Sequence, residues 1–311
     1  MMTLAKQFFK NFKRHLSPQQ LALLKTAYYR IFPRKKILHY KIYKENLINK
    51  YGLEIGGPSR IFKTGEGILP LYPIVGNLDA CNFSTNTFWE GTIKAGVTYA
   101  YEKNRKVGYQ YVCDATDLVD IESEKYDFVL ASHVLEHIAN PLKAIAEWMR
   151  VLKKDGLILL IVPHKDGTFD HRRPVTLFSH LLEDYRYNMQ ENDLTHVPEI
   201  LELHDPPLGL GEDFNACKQT LFNNYKYRCV HHHVFSTRLI IEIFNYFNIH
   251  IVSIDLHKPY HIIILGKKQA HGVGEDNIIF LNEDNPILRN SPFISDRSLC
   301  ACNIVKRYSA E

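Results

Sequence analysis

Apolar residues along the chain fall into short runs, and each run stops at a polar or turn-forming residue. Residues 51–55 run into Gly56-Gly57-Pro58-Ser59, residues 74–78 into Asp79, and residues 109–113 into Asp114. Residues 126–131 run into Ser132, and residues 157–162 into Pro163. Runs this short, without polar alternation and bounded by breakers, predict strands buried on both faces of a parallel sheet. A helical period takes over after Asn140-Pro141: Leu142, Ile145, Ala146, Met149 and Leu152 line up on one face, and Gly156 stops the helix. Ser236 caps a second apolar helix over 237–247, followed by a closing strand pair, 249–256 and 261–265, joined across Lys258-Pro259-Tyr260. Between Ser59 and Ile74, Gly65, Gly67, Pro70 and Pro73 leave no room for a long crossover helix, so an irregular loop is expected there.

The Gly56-Gly57 pair gives this pattern its centre. Two glycines at a strand tip allow a sharp turn and let a ligand approach the backbone without a Cβ in the way. Open α/β sheets bind ligands at such turns. Three further strand tips carry Asp79, Asp114 and Ser132, all expected at the same edge.

Composition and charge refine the picture. Of 311 residues, 45% are hydrophobic and 23% charged, as in a soluble globular protein, and no apolar run approaches the roughly 18 residues of a membrane span. Six scattered cysteines are not a disulfide scaffold, which favours a reducing compartment such as the cytoplasm. Residues 1–44 hold 11 Lys and Arg and no acid, so the rest of the chain has 27 bases (38 less 11) against 34 acids. Within that basic arm Leu4, Phe8, Phe12 and Leu16 recur every four residues, and Ser17-Pro18 opens a second helix that Phe32-Pro33 ends. An arm of this kind either packs on the domain with a solvated basic face or lies on anionic lipid at the inner face of a membrane. No nucleic-acid recognition motif accompanies it, and nucleic acid is not an expected partner.

The expected organisation is a basic helical arm (1–48), one α/β domain (49–266) and a C-terminal tail (267–311) without sustained periodicity. Residues 164–234 form an insertion far longer than an ordinary α/β connection. It holds His164, Asp170, His171, His180, His196, His204, Asp205 and the run His231-His232-His233. On a strand His231 and His233 would share a face, as half of a metal site or as two pocket-lining groups, but spacing alone names no ligand set, and no metal is assigned. The Cys300-Ala301-Cys302 pair is read as chance.

Leu53-Glu54-Ile55-Gly56-Gly57, Asp114-Ala115-Thr116-Asp117-Leu118, Ser132-His133-Val134-Leu135-Glu136-His137 and Arg150 to Gly156 follow one another in order and spacing. Together they resemble the successive motifs of class I S-adenosylmethionine-dependent methyltransferases of the type 11 domain kind, over about residues 50–165. The resemblance implies an α/β, Rossmann-like sheet with the helical arm at its N-terminus and the His-rich insertion after its fifth strand. It implies S-adenosyl-L-methionine as cofactor, with Glu54, Gly56 and Gly57 near its amino acid portion and Asp79 at the ribose. Asp114 and Ala115 would meet the adenine, and Ser132 and His133 the methionine side. Pro58 and Arg60 stand where the family places further glycines, so the loop must differ in shape.

Such a site transfers a methyl group, and a sugar or other small-molecule hydroxyl is the expected acceptor, as in glycan biosynthesis. A hydroxyl needs a base. His164, directly after the fifth strand and oriented by Asp170, is the first candidate, with His137 in reserve. The alternative is a scaffold or binding protein that has kept the cofactor fold without turnover.

Overall fold

The computed structural model describes residues 36–203, 205, 214–269, 277–282 and 284–297. Both expected helices of the basic arm, and Cys300 and Cys302, lie outside the described residues.

The strands are β1 (Tyr51–Ile55), β2 (Asn77–Asn82), β3 (Asn86–Thr87), β4 (Gly91–Thr92), β5 (Gly96–Tyr99), β6 (Gly108–Val112), β7 (Tyr126–Ser132), β8 (Leu152–Pro163), β9 (Ile249–His257) and β10 (His261–Lys268). The helices are α1 (Tyr40–Leu47), α2 (Pro141–Val151), α3 (Phe178–Arg186), α4 (Val197–Leu203), α5 (Phe214–Phe222), α6 (Asn224–Tyr227), α7 (Thr237–Tyr246), α8 (Ile278–Leu281) and α9 (Pro286–Arg289). Eight strands make one sheet in the order β5-β6-β2-β1-β7-β8-β10-β9, while β3 and β4 pair as a separate ribbon. The five strands from β6 to β8 are mutually parallel. β10 runs antiparallel to both of its neighbours, and β5 is an antiparallel edge.

Side-chain alternation splits each central strand between two cores. Val129 and Ala131 of β7 and Ile158, Leu160 and Val162 of β8 join α2 and α7 on one face. Phe128, Leu130, Leu157, Leu159 and Ile161 join α1 and the 61–75 loop on the other. This is why those strands read as continuous apolar runs rather than as alternation. Asn140 caps α2 by accepting from the Lys143 amide, and Ser236 caps α7 by accepting from Leu239.

The structure corrects the sequence reading in three places. β2 begins at Asn77, because Ile74 to Gly76 turn back onto Leu71 and Lys50. Asp79 therefore sits mid-strand opposite Leu53, and Asn82 is the tip. Helix α2 buries Ala144, Trp148 and Val151 besides Leu142 and Ile145, leaving Ala146 and Met149 half-buried, and it ends at Val151, so Gly156 falls within β8. Part of the expected tail packs on the domain, where Leu288, Phe293 and Asp296 are buried. Helix α1, at the end of the expected arm (1–48), packs on the domain: Tyr43 and Leu47 are buried, and Tyr43 donates to Asp255 at 2.9 Å.

Candidate active site

A cleft opens at the carboxyl edge of the parallel strands. β1 contributes Ile55 and Gly56, and β2 contributes Cys81 and Asn82, with Phe83 just beyond. The end of β6 leads to Cys113, Asp114 and Ala115, and the end of β7 to His133, Val134, His137 and Ile138. Trp89 and Arg228 close the front.

The glycine turn is built from beneath. Gly56 and Gly57 have φ of +76° and +89°, and a Cβ on Gly56 would lie 2.8 Å from Val134 Cγ2. Under the turn, Glu54 is fully buried, with its carboxylate accepting from Ser59 Oγ at 2.7 Å, Tyr72 OH at 2.8 Å and Tyr99 OH at 2.6 Å. Burial pushes this carboxyl above its ordinary value despite those donors. Glu54 thus shapes the loop from the far side and is absent from the cleft wall, where it was expected.

Asp79, expected at the ribose, is also away from the cleft. It is buried, accepting from the Tyr51 hydroxyl, from Tyr126 OH at 2.8 Å and from the Tyr109 amide at 2.8 Å. The strand tip belongs to Asn82, whose Nδ2 is buried without a hydrogen-bond partner. Asp114 lines the cleft as expected. Its Oδ1 accepts from the Thr116 amide and hydroxyl, both at 2.8 Å, and its Oδ2 accepts from Arg228 Nη2 at 2.9 Å. Burial works against the charge, but the Thr116 amide and the Arg228 guanidinium hold this carboxyl below its usual range. Arg228 reaches with its other arm to Glu191 at 3.0 Å, and Glu191 accepts from the Ala139 amide. Nothing in the sequence marks Arg228, since it is fixed by a left-handed backbone after the short α6.

Ser132 ends β7 opposite Ile161 and stays out of the cleft wall. His133 lines it, with φ +55°, and its Nε2 lies 2.9 Å from His261 Nδ1. A non-glycine residue held in that region stores on the order of 1–3 kcal/mol, a cost that clusters at functional sites.

The two base candidates part company. His164 is fully buried outside the cleft: its Nε2 pairs with Asp296 at 3.2 Å, its Nδ1 accepts from the Asp166 amide, and its ring stacks on Phe293 at 4.0 Å. Asp170 does not orient it. The Asp170 carboxylate is instead 2.6 Å from His231 Nδ1 and accepts from Arg173 Nη1 at 2.9 Å. His231 in turn sits edge-on to His137, ring centroids 4.6 Å apart. His137 is in the cleft wall beside Trp89, with a buried Nδ1 that has no partner. Burial, reinforced by the charge of His231, pushes His137 down to about 3. For His231 burial acts downward too, but the Asp170 carboxylate outweighs it and raises the value. His231 and His233 do not share a strand face: the segment is extended chain outside the sheet, and His233 packs against His180 and His196 instead.

Walls of Ile55, Val134 and Ile138, an acceptor at Asp114 and an unpaired amide donor at Asn82 suit a nucleoside, and the turn without Cβ atoms suits close approach of its polar tail. The strand order and the parallel core are those of the class I S-adenosylmethionine-dependent methyltransferase fold, and the cleft suits S-adenosyl-L-methionine. The family model for a methyltransferase domain matches residues 92–160. Among solved structures, the chain is similar to a SAM-dependent methyltransferase from Aquifex aeolicus (14% identity, 84% of this chain and 98% of that chain, TM-score 0.40). It is also similar to one from Methanosarcina mazei (15% identity, 74% of this chain and 98% of that chain, TM-score 0.43). No curated protein sequence matches the chain.

Proposed function

We propose that this methyltransferase methylates a hydroxyl group, with a sugar or glycan as acceptor. The observation that carries this reading is a second, open cavity joined to the cofactor cleft through Phe83 and Arg228 and edged by Phe88, Tyr225 and Tyr227. Phe88 and Tyr225 are exposed. Exposed aromatic faces beside polar Asn86, Thr87 and Lys226 suit the apolar faces and hydroxyl edges of a sugar ring.

In this reading Asn82 takes the ribose role first expected of Asp79. Asp114 and Ala115 face the adenine, and Gly56, Gly57 and His133 the methionine portion. When bound, the cofactor supplies a sulfonium-activated methyl group, so positioning the acceptor is the protein's main task. His137 takes the hydroxyl proton. Its low pKa keeps it neutral, with a free lone pair, throughout the physiological range, but makes it a weak base, so its contribution belongs at the lower end of about 10²- to 10⁴-fold. The buried Glu136 carboxylate, with Oε2 unpartnered, lies within reach of both His137 and His231 to stabilise the imidazolium. The test is transfer of labelled methyl from the cofactor to panels of sugars, glycosides, phenols and amines, with His137→Gln alongside. Product on sugar oxygen that falls at least tenfold in the variant supports the proposal. Transfer to amines alone would overturn it.

A further inference from the structure

The insertion holds a second cluster of histidines, behind the wall that carries Arg228 and away from the methyl-transfer cleft. His180 and Asp184 lie four residues apart on α3, so both project from one face. His196 comes from the turn before α4, and His233 from the extended segment after α6. His180 Nε2 lies 3.2 Å from His196 Nε2 and 3.5 Å from Asp184 Oδ2, and that oxygen is 3.6 Å from His233 Nε2. One nitrogen from each of the three histidines falls within 4.8 Å of the others.

These separations have a chemical meaning. Around tetrahedral zinc, with bonds of about 2.0–2.1 Å, neighbouring ligand atoms stand roughly 3.3–3.4 Å apart. Hydrogen bonds account for only part of the cluster: His180 pairs with His196 at 3.2 Å, and His233 Nε2 lies 3.3 Å from the Ala139 carbonyl. Asp184 is 2% exposed, its Oδ2 has no hydrogen-bond donor, and the buried Nδ1 of His233 has no partner either. Unpartnered polar atoms of this kind, next to one another in a native interior, call for an occupant.

We propose that His180, Asp184, His196 and His233 bind one zinc ion that clamps the insertion. Three imidazoles grouped within 4.8 Å, with the Asp184 carboxylate beside His180 and His233, match the ligand preference of zinc, and a site drawn from three separate segments and filled by protein donors is structural rather than catalytic. The neighbouring set of Asp193, His196 and His232 competes less well. Asp193 already accepts from the Thr195 amide and hydroxyl, and His232 Nε2 is 3.0 Å from Asn224 Nδ2. The ion would join residues 180–196 to the segment just after Arg228, which fixes the Asp114 contact.

The test uses the full chain without a histidine tag. Metal analysis after purification is expected to find close to one zinc per chain. After chelation, Co(II) is expected to give the intense visible bands of tetrahedral coordination, and added Zn(II) to abolish them and raise the unfolding midpoint. His180→Gln with His196→Gln should lose the metal, the bands and the midpoint shift, while His171→Gln at the insertion surface keeps all three. The reconstituted parent decides independently of how the double variant folds: octahedral Co(II) bands, or no uptake by folded protein, would overturn the site. Zinc retained in His180→Gln but lost in His232→Gln would also overturn it, by moving the ion to the neighbouring set.

Discussion

Replacing Gly57 by alanine isolates the support beneath the cofactor turn. At φ +89°, a residue with a Cβ costs about 1–2 kcal/mol from backbone strain alone. That Cβ would also stand 2.5 Å from Glu54 Cδ, 2.6 Å from Glu54 Oε1 and 2.8 Å from Tyr99 OH. None of these atoms can retreat cheaply, because Glu54 is gripped by Ser59, Tyr72 and Tyr99 and all but Ser59 are buried. Crowding of this kind adds about 1–3 kcal/mol, giving roughly 2–5 kcal/mol in all. Gly91 supplies the control, since its φ is +67° but its Cβ would meet nothing within 4 Å. Gly91→Ala should therefore show the backbone cost without the crowding. The assay is urea unfolding of parent and both variants, paired with calorimetric binding of S-adenosylmethionine. Gly57→Ala should lose clearly more stability than Gly91→Ala and bind cofactor at least tenfold more weakly. Equal stability losses in the two variants, with cofactor affinity intact in both, would refute the buried-cage argument.

Asn82→Ala should weaken cofactor binding by about 1–2 kcal/mol, roughly 5- to 30-fold by calorimetry, whereas Asp79→Asn should lower the unfolding midpoint and leave affinity unchanged. His164→Gln should likewise cost stability through Asp296 and Phe293 but keep methyl transfer within a few-fold of the parent, in a single-turnover assay, where His137→Gln does not. Stability of chelated protein should also depend on pH. His137 and His196, held at about 3 and about 4 against an ordinary 6.5, contribute stability that is whole above pH 6.5 and lost as pH falls towards those values. Asp184, pushed up to about 6 chiefly by burial, acts in the opposite sense, losing its contribution as pH rises through 6, and the raised His231 also opposes the first pair. The net expectation is about 1–3 kcal/mol less stability at pH 5 than at pH 7 by urea titration, and a flat profile would contradict the neutral burial of His137 and His196.

The parallel strands were legible because burial on both faces leaves an unmistakable apolar run, and the glycine turn because only glycine serves there. The position of Asp79 was not. A three-residue shift in where β2 begins moves the strand tip from an acid to Asn82, and the turn of residues 74–76 onto Leu71 and Lys50 that sets this start is a tertiary contact. The pairing of Asp170 was illegible for a similar reason: nearness in sequence suggested His164, but its hydrogen bond goes to His231, 61 residues away. In the tail, short apolar stretches without period gave no sign of docking. There a single buried aspartate, Asp296, gathers His164, Thr237 and Ser291.

Arg228 makes the insertion a part of the cofactor site rather than an appendage to it. Its guanidinium separates Asp114 from Glu191, helping to hold Asp114 below its usual range while burial still keeps Glu191 above its own, and Glu191 is the acceptor that holds the Ala139 amide just before α2. Folding of the insertion and readiness of the Asp114 wall of the cleft are therefore linked, so a ligand that binds the ordered cleft should also favour the ordered insertion. Saturating S-adenosylmethionine should protect residues 164–234 from limited proteolysis in the parent. In Arg228→Ala the link is cut, leaving Glu191 buried without its cation, and cofactor should bind about tenfold more weakly and protect the insertion little. Full protection in that variant would show that the insertion folds independently of the cleft.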